Sequence, residues 1–134
     1  MSNRALIVQE LEVTVSNKPG KIAEISNIVS AAGVNIVALR AYCIGNAGFI
    51  HFVTDNNTLA CEILEKKNYK VKHQDVVMAA LKNEIGAVYE ITEQLSSKSI
   101  DLYAAYLTTG SGGDTTMVIA GKDLAAIVEV LNAE

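Results

Sequence analysis

The sequence contains no tryptophan and only two phenylalanines among its 134 residues. Proteins that bind single-stranded nucleic acid stack the bases on aromatic side chains, which are scarce here. Basic residues are also in the minority, with 11 Lys and Arg against 15 Asp and Glu and a net charge of −4. A phosphate backbone is held by a concentrated surface of Lys and Arg. The composition therefore argues against a nucleic-acid partner.

Long hydrophobic runs are also lacking. A helix that crosses a bilayer needs about 20 consecutive apolar residues, and this chain has no such run. The apolar segment ALIVQELEV at residues 5–13 is short and interrupted by charge, unlike a secretory signal peptide. We therefore expect a cytoplasmic protein with no membrane partner.

Cysteine and histidine are scarce, with two residues of each. Cys43 and Cys61 form no C-x-x-C motif and no metal-ligand spacing, so we expect both to be reduced, small and buried. A functional thiol is the alternative. His51 and His73 lie far apart in sequence, so structural roles are favoured over a metal site.

Catalytic signatures are missing from the sequence. It shows no nucleophile–base pair and no paired carboxylates at catalytic spacing. The glycine-rich stretch TTGSGGDTT at residues 108–116 lacks the lysine of a phosphate-binding loop, so a hairpin loop is favoured. We expect a protein that is not an enzyme and that needs neither cofactor nor metal.

The chain contains an internal repeat. When it is shifted by 66 positions, NKPGKIAEISNIVSAAGVNI, which starts at Asn17, aligns with NEIGAVYEITEQLSSKSIDL, which starts at Asn83. Several residues are identical in the two copies, and the apolar positions of the predicted helix coincide. Identity in phase with the helix indicates a duplication.

Each copy has the same predicted order of elements. In the first copy LEVTV alternates as a strand, residues 20–32 form an amphipathic helix and residues 34–44 form a strand. A turn at 45–48 leads into a strand at 49–54, and a second helix covers 57–67. The order βαββαβ predicts an α+β protein with two ferredoxin-like units side by side. In each unit the helices cover one face of an antiparallel sheet.

The boundary between the units is predicted at residue 75, with the first unit at 1–74 and the second at 75–134. No Gly, Pro or polar linker separates them. The second unit lacks its own last strand. Under the 66-residue shift, residues 4–10 align with the closing strand of the first unit, so our hypothesis is that they supply the missing one.

The motif NKPGKIAEISNIVSAAGVNI resembles the signature of the ACT domain, and the whole chain is similar to a stand-alone tandem ACT protein. The second copy departs from the pattern, with Ile85 for the proline, Ser99 for the glycine and Asp101 for the asparagine. The resemblance implies a regulatory protein that senses a small molecule, most often an amino acid. The ligand would lie between the loop after the first strand of one unit and the second strand of its neighbour.

The resemblance also implies the ligand-binding residues. These are Asn17, Pro19, Gly20, Asn35, Asn83, Gly86 and Asp101. A glycine lets a ligand approach the first helical turn, whose free N–H groups favour a carboxylate. Serine-sensing relatives carry a histidine where this chain has Val15, so the resemblance does not specify serine. The alternative for Asn17 is a capping role.

Two functions follow from these observations. The first is a non-catalytic sensor of an amino acid or related carboxylate, which acts on a separately encoded enzyme or regulator. The alternative is an assembly or docking module that works without a ligand, which the degeneration of the second copy favours. Sheet edges and apolar faces make a homodimer the expected state.

Overall fold

The computed structural model describes residues 4–109 and 114–133 of the chain. They form two compact units. The N-terminal unit consists of residues 9–74. The C-terminal unit consists of the described residues up to Val8 and from Asp75 onward.

The N-terminal unit contains the predicted elements. Its strands and helices are β1 (Ala5–Ser16), α1 (Lys21–Ala31), β2 (Ile36–Ile44), β3 (Ala47–Thr54), α2 (Asn57–Lys66) and β4 (Val71–Lys82). The unit boundary falls inside β1 and β4, so each of these strands contributes residues to both units. The strands and helices predicted for this unit are confirmed, with most ends differing by no more than two residues, while β1 begins six residues before the predicted LEVTV strand.

The sheet of the N-terminal unit is antiparallel where β3 pairs with β1 and with β2. Alternate residues of these strands point to the side covered by the helices. The buried core on that side consists of Leu11, Val13, Ile25, Val29, Val34, Ile50, Phe52, Ala60 and Leu64. The helices of this unit contribute through residues at the spacing of one helical face, such as Ile25 and Val29.

The C-terminal unit repeats this plan. After β4 come α3 (Ala87–Ser97), β5 (Leu102–Thr109), β6 (Asp114–Gly121) and α4 (Leu124–Asn132), and β6 pairs antiparallel with β4 and β5. Its core consists of Ala5, Val77, Ala79, Leu81, Ile91, Leu95, Met117, Ile119, Ile127 and Leu131. The two ferredoxin-like units with antiparallel sheets are thus confirmed. Residues 110–113 of the predicted hairpin loop lie outside the described residues.

The start of β1 is held within the C-terminal unit by polar contacts. The Ala80 N–H donates to the Arg4 carbonyl at 2.8 Å. The Asn132 Oδ1 accepts from the N–H groups of Arg4 and Ala5 at 2.7 and 2.8 Å, and its Nδ2 donates to the Ala5 carbonyl at 2.9 Å. One side chain at the end of α4 thereby satisfies three backbone groups.

The helix starts show the duplication as clearly as the sequence does. Gly20 and Gly86 precede α1 and α3, and each has a φ of 88°. The other two helices begin with side-chain caps, in which Asn56 accepts from the Leu59 N–H and Asp123 from the Ala126 N–H. Left-handed φ values favour glycine, so the same backbone conformation explains why both units have glycine before their first helix.

No helix in the described part of the chain is long and apolar enough to cross a membrane.

Candidate functional site

The loop between β1 and α1 is anchored by its backbone. The Asn17 N–H donates to the Asn46 carbonyl at 2.9 Å, and the Lys18 N–H donates to the Ser16 carbonyl at 2.8 Å. The Glu24 N–H donates to the Gly20 carbonyl at 2.9 Å and so closes the first turn of α1. The loop is therefore fixed at both ends, against the β2–β3 turn and against the helix.

The side chain of Asn17 joins this loop to the end of β2. Its Oδ1 accepts from the Cys43 thiol at 3.1 Å, and its Nδ2 donates to the Gly45 carbonyl at 3.4 Å. The helix start has no side-chain cap. Asn17 therefore does not cap α1, which was the alternative interpretation of this residue.

A cavity of about 470 Å³ lies between this loop, the first turn of α1 and the ends of β2 and β3. Its lining consists of Val15, Ser16, Asn17, Lys18, Pro19, Gly20, Lys21, Ile22, Ala23, Ala41, Tyr42, Cys43, Gly48, Phe49 and Ile50. The volume is in the range of small-molecule sites, about 300 to 1,000 Å³. Three of the predicted ligand residues, Asn17, Pro19 and Gly20, are thus brought together in one concave site.

The charges around this cavity favour an anion. Lys18 and Lys21 line it, and its lining contains no aspartate or glutamate. The Lys21 Nζ lies 3.5 Å from the Glu24 Oε2 in an exposed pair, which is only weakly stabilising. The first N–H groups of an α-helix have no partner within the helix and add positive partial charge. A carboxylate would therefore be accommodated at this end of α1.

Asn35 lies at the other end of α1 and is exposed. Its N–H donates to Asp55 Oδ1 at 3.0 Å, and its carbonyl accepts from the Asp55 N–H at 3.0 Å. It lines a second cavity, of about 450 Å³, together with residues of α1 such as Ser26 and Ser30. Within the N-terminal unit, the structure does not bring Asn35 to the loop that carries Asn17.

Two of the predicted ligand residues of the C-terminal unit lie in the loop before α3, and the third follows that helix. Gly86 precedes α3, Asn83 is exposed in the loop after β4, and Asp101 is exposed just before β5. A cavity of about 520 Å³ beside this loop is lined by Arg4, Ala80, Leu81, Lys82, Glu84, Ala87, Glu90, Ile91 and Asp114. None of the three predicted residues is part of that lining.

The prediction that Cys43 is buried is wrong. Cys43 is exposed, lines the cavity of the N-terminal unit and contacts Asn17, while Cys61 is half-buried. The reason is its position near the end of β2, an edge strand whose last four residues are exposed. The strand pairing could have indicated that Cys43 is exposed, because Cys43 pairs with Gly48, which has no side chain to cover it.

Tyr42 and Phe49, which line the cavity, also belong to a row of rings along β2 and β3 that the sequence motifs did not indicate. Tyr42 stacks on Phe49 and on His51 with ring centroids 5.3 and 5.5 Å apart, and the Arg40 guanidinium lies 5.2 Å from the Tyr42 ring centre. His51 is buried and hydrogen-bonded, which confirms the structural role predicted for it. Among the described residues, no group of three His, Cys, Asp or Glu side chains is placed to hold a metal ion.

Solved structures share this fold at low sequence identity. A protein from Bacteroides thetaiotaomicron matches with a TM-score of 0.87 and 22% identity over 97% of this chain and 89% of its own. The ligand-free regulatory subunit of aspartate kinase from Thermus thermophilus matches with a TM-score of 0.68 and 10% identity, over 96% and 94% of the two chains. The corresponding subunit from Thermus flavus has a TM-score of 0.62 and 11% identity over the same shares.

Comparison with protein families gives a more specific result. No curated protein matches the sequence. The sequence profile of the ACT domain pair matches residues 4–81, which is more than half of the chain. The resemblance seen in the asparagine–glycine motif is thereby confirmed, and the chain belongs to the ACT domain pair family.

Proposed function

We propose that this protein is a regulator that binds an amino acid or a related small carboxylate, has no catalytic activity, and acts on a separately encoded enzyme or regulator. The observation that carries the proposal is the cavity at the first turn of α1. Membership of the ACT domain pair family supports it, as do two solved structures of the same fold that are regulatory subunits of aspartate kinase.

In this proposal the ligand carboxylate lies against the first turn of α1. A Cβ on Gly20 would have no atom within 4 Å, so the space beside this residue is open to a ligand. Asn17 offers a donor and an acceptor at the floor of the cavity, and Pro19 forms part of its wall. Asn35, Asn83, Gly86 and Asp101 lie outside this cavity, and their roles as ligand contacts stay predictions.

A thermal-shift screen with the twenty amino acids tests this function. A ligand present at a hundred times its dissociation constant adds about 2.7 kcal/mol to the free energy of unfolding. We expect Asn17→Ala to reduce this shift, and Glu93→Ala, at an exposed site on α3, to leave it unchanged. No shift with any amino acid, confirmed by calorimetry, would refute the proposal in its amino-acid form.

A ligand-independent assembly module is the second candidate, and the surface of the C-terminal unit favours it. Ile85 is fully exposed, and Tyr89 and Val88 are 73% and 44% exposed around the start of α3. Exposed apolar groups of this kind are typical of contact surfaces, including those of a homodimer. Sedimentation of the wild type and of Ile85→Ser with and without amino acids separates the candidates, because a docking module associates regardless of ligand.

A further inference from the structure

We infer that the cavity of the N-terminal unit selects a carboxylate that carries an apolar side chain, and that each chain binds only one such ligand. The inference rests on the proposed function and adds the chemical class and the stoichiometry. It is carried by the side chains that line this cavity and by the residues that occupy the same strand positions in the C-terminal unit.

The inner wall of the cavity is apolar. Val15, Ile22 and Ile50 form it together with the small residue Ala41, and Ile50 is 2% exposed. A polar group moved from water onto such a wall without a hydrogen-bond partner loses free energy. A charged ammonium on the ligand's side chain would also find no carboxylate, because none lines the cavity. An aliphatic side chain fits this wall best.

Space for that side chain exists because three positions around the wall carry small residues. Ala41 pairs with Ile50, and Cys43 pairs with Gly48. A Cβ on Gly48 would lie 3.1 Å from Val15 Cγ2 and 3.9 Å from Cys43 Sγ, so it would point into the group of side chains that line the cavity. Larger residues at these positions would occupy the ligand's volume.

The C-terminal unit has larger residues at these positions. The pair of Val15 with Gly48 corresponds to the pair of Leu81 with Thr115. Thr115 is buried, and its hydroxyl donates to the Thr108 carbonyl, so this residue is part of the packed structure.

The position of Ala41 is also enlarged in the second unit. Ala41 pairs with Ile50 in the first unit, and Leu107 pairs with Met117 at the corresponding place in the second.

The charged residues that line the cavities also differ between the two units. The cavity beside the β4–α3 loop is lined by the carboxylates Glu84, Glu90 and Asp114 along with the cations Arg4 and Lys82. Three carboxylates repel an anionic ligand, and the two cations offset this only in part. Among the described residues, the apolar lining without carboxylates therefore belongs to the N-terminal unit.

Two kinds of metabolite share this chemistry. An α-amino acid with an aliphatic side chain and its 2-oxo acid both have a carboxylate beside an apolar chain. Only the amino acid has an ammonium group, for which the side-chain oxygen of Asn17 is an acceptor among the residues that line this cavity. Measuring the affinity of the amino acid and of its 2-oxo acid shows which of the two metabolites the cavity binds.

Calorimetry on the full chain tests the inference with four ligands: L-leucine, 4-methyl-2-oxopentanoate, L-serine and L-lysine. We expect leucine or its 2-oxo acid to bind with one site per chain. Serine and lysine should bind at least about tenfold more weakly, since even one methylene in an apolar pocket is worth about 10-fold or more. Serine or lysine binding as tightly as leucine, or two leucines per chain, would overturn the inference and leave the proposed function standing. Binding of neither an amino acid nor the 2-oxo acid would instead refute the proposed function.

A swap between the units provides the structural test. Ala41→Leu places the residue of the C-terminal unit in the cavity, at an exposed position where folding is expected to tolerate it. We expect leucine affinity to fall at least about tenfold with no loss of thermal stability. Ala31→Leu, an equal enlargement at an exposed site on α1 outside the cavity, is the matched control. Unchanged affinity in Ala41→Leu would overturn the inference.

A second variant tests the apolar wall without filling the cavity. Ile22→Ser removes part of the wall from a residue that is 47% exposed and therefore not essential to the core. We expect the preference for leucine over serine to decrease by about tenfold. A preference that stays as large as in the wild type would show that this wall does not contact the ligand's side chain, against the inference.

Discussion

His51 and Glu10 form a buried hydrogen bond in the N-terminal unit, with His51 Nδ1 2.9 Å from Glu10 Oε1 and the side chains 3% and 1% exposed. Gln74 Nε2 donates to the same carboxylate oxygen at 2.6 Å, and the Tyr42 hydroxyl lies 3.1 Å from His51 Nε2. Buried polar groups persist when they satisfy one another, and removal of one member leaves the others unpaired. The strands β1, β2, β3 and β4 each contribute one residue to this cluster.

We expect Glu10→Ala to lower the free energy of unfolding by at least about 2 kcal/mol, because it leaves the buried His51 Nδ1 without its partner. Glu12→Ala is the matched control. Glu12 Oε1 lies 3.4 Å from His51 Nε2, and its side chain is 19% exposed, so we expect a loss of less than about 1 kcal/mol. Urea titration measures both. Equal losses would show that the cluster adds nothing beyond a surface pair.

Tyr69 is expected to ionise at a higher pH in the folded protein than in the unfolded chain. Burial, and then its hydrogen bond to the Glu24 carboxylate, raise the pKa of Tyr69 to about 12. The folded state holds this proton more tightly than the unfolded chain, whose tyrosines have a pKa of about 10. The stability from Tyr69 is therefore complete below pH of about 10 and lost as the pH rises towards 12.

Ultraviolet titration of the phenolate measures this late step, and Tyr69→Phe should remove it. In Glu24→Gln the pKa of Tyr69 should fall, since the negative charge beside the hydroxyl is gone while burial remains. The same hydrogen bond lowers the pKa of Glu24. Identical titration curves for the wild type and Tyr69→Phe, apart from one fewer phenol, would contradict the assignment.

Gly20→Ala should destabilise the protein by about 1 kcal/mol although a Cβ there would meet no atom within 4 Å. The cost arises from the φ of 88°, which an alanine adopts only with strain. Gly86→Ala should cost about the same, since its backbone angles match. Urea unfolding measures both losses. A neutral result at either position would mean that the helix start can relax.

Asn132→Ala should destabilise the C-terminal unit by about 1 to 3 kcal/mol, because three partly buried backbone groups of Arg4 and Ala5 lose their partner. Hydrogen exchange locates the effect, and we expect faster exchange in β4 and α4. Asn27→Ala, at an exposed position of α1, is the control. Unchanged protection of the Ala80 amide, which bonds to Arg4, would contradict the view that the start of β1 is held in this unit by Asn132.

The elements of the fold were predictable because their signals are local. Apolar residues at the spacing of one helical face, such as Ile25 and Val29, identify the buried side of α1. Ile91 and Leu95 do the same for α3. The repeat supported these predictions, because the helices and strands predicted in one copy had to match those predicted in the other. Helix ends moved by one residue, since Gly20 adopts a left-handed conformation outside the helix.

The site was predictable only in part, because the predicted ligand residues lie at opposite ends of α1. Asn17, Pro19 and Gly20 are close in sequence, so any compact loop brings them together. Asn35 comes after α1, and an 11-residue helix at about 1.5 Å per residue separates its two ends by roughly 16 Å. The same motif therefore contributes to two cavities of the N-terminal unit.

The sequence by itself determined the two βαββαβ units, their helix starts and the family to which the chain belongs, because periodicity and backbone-restricted residues are properties of neighbours along the chain. Only the tertiary structure decided that Gly48 and Cys43 border a cavity in one unit while Thr115 is packed into the other. Whether a side chain leaves or fills space depends on the residue paired with it across the sheet, and strand register sets that pairing.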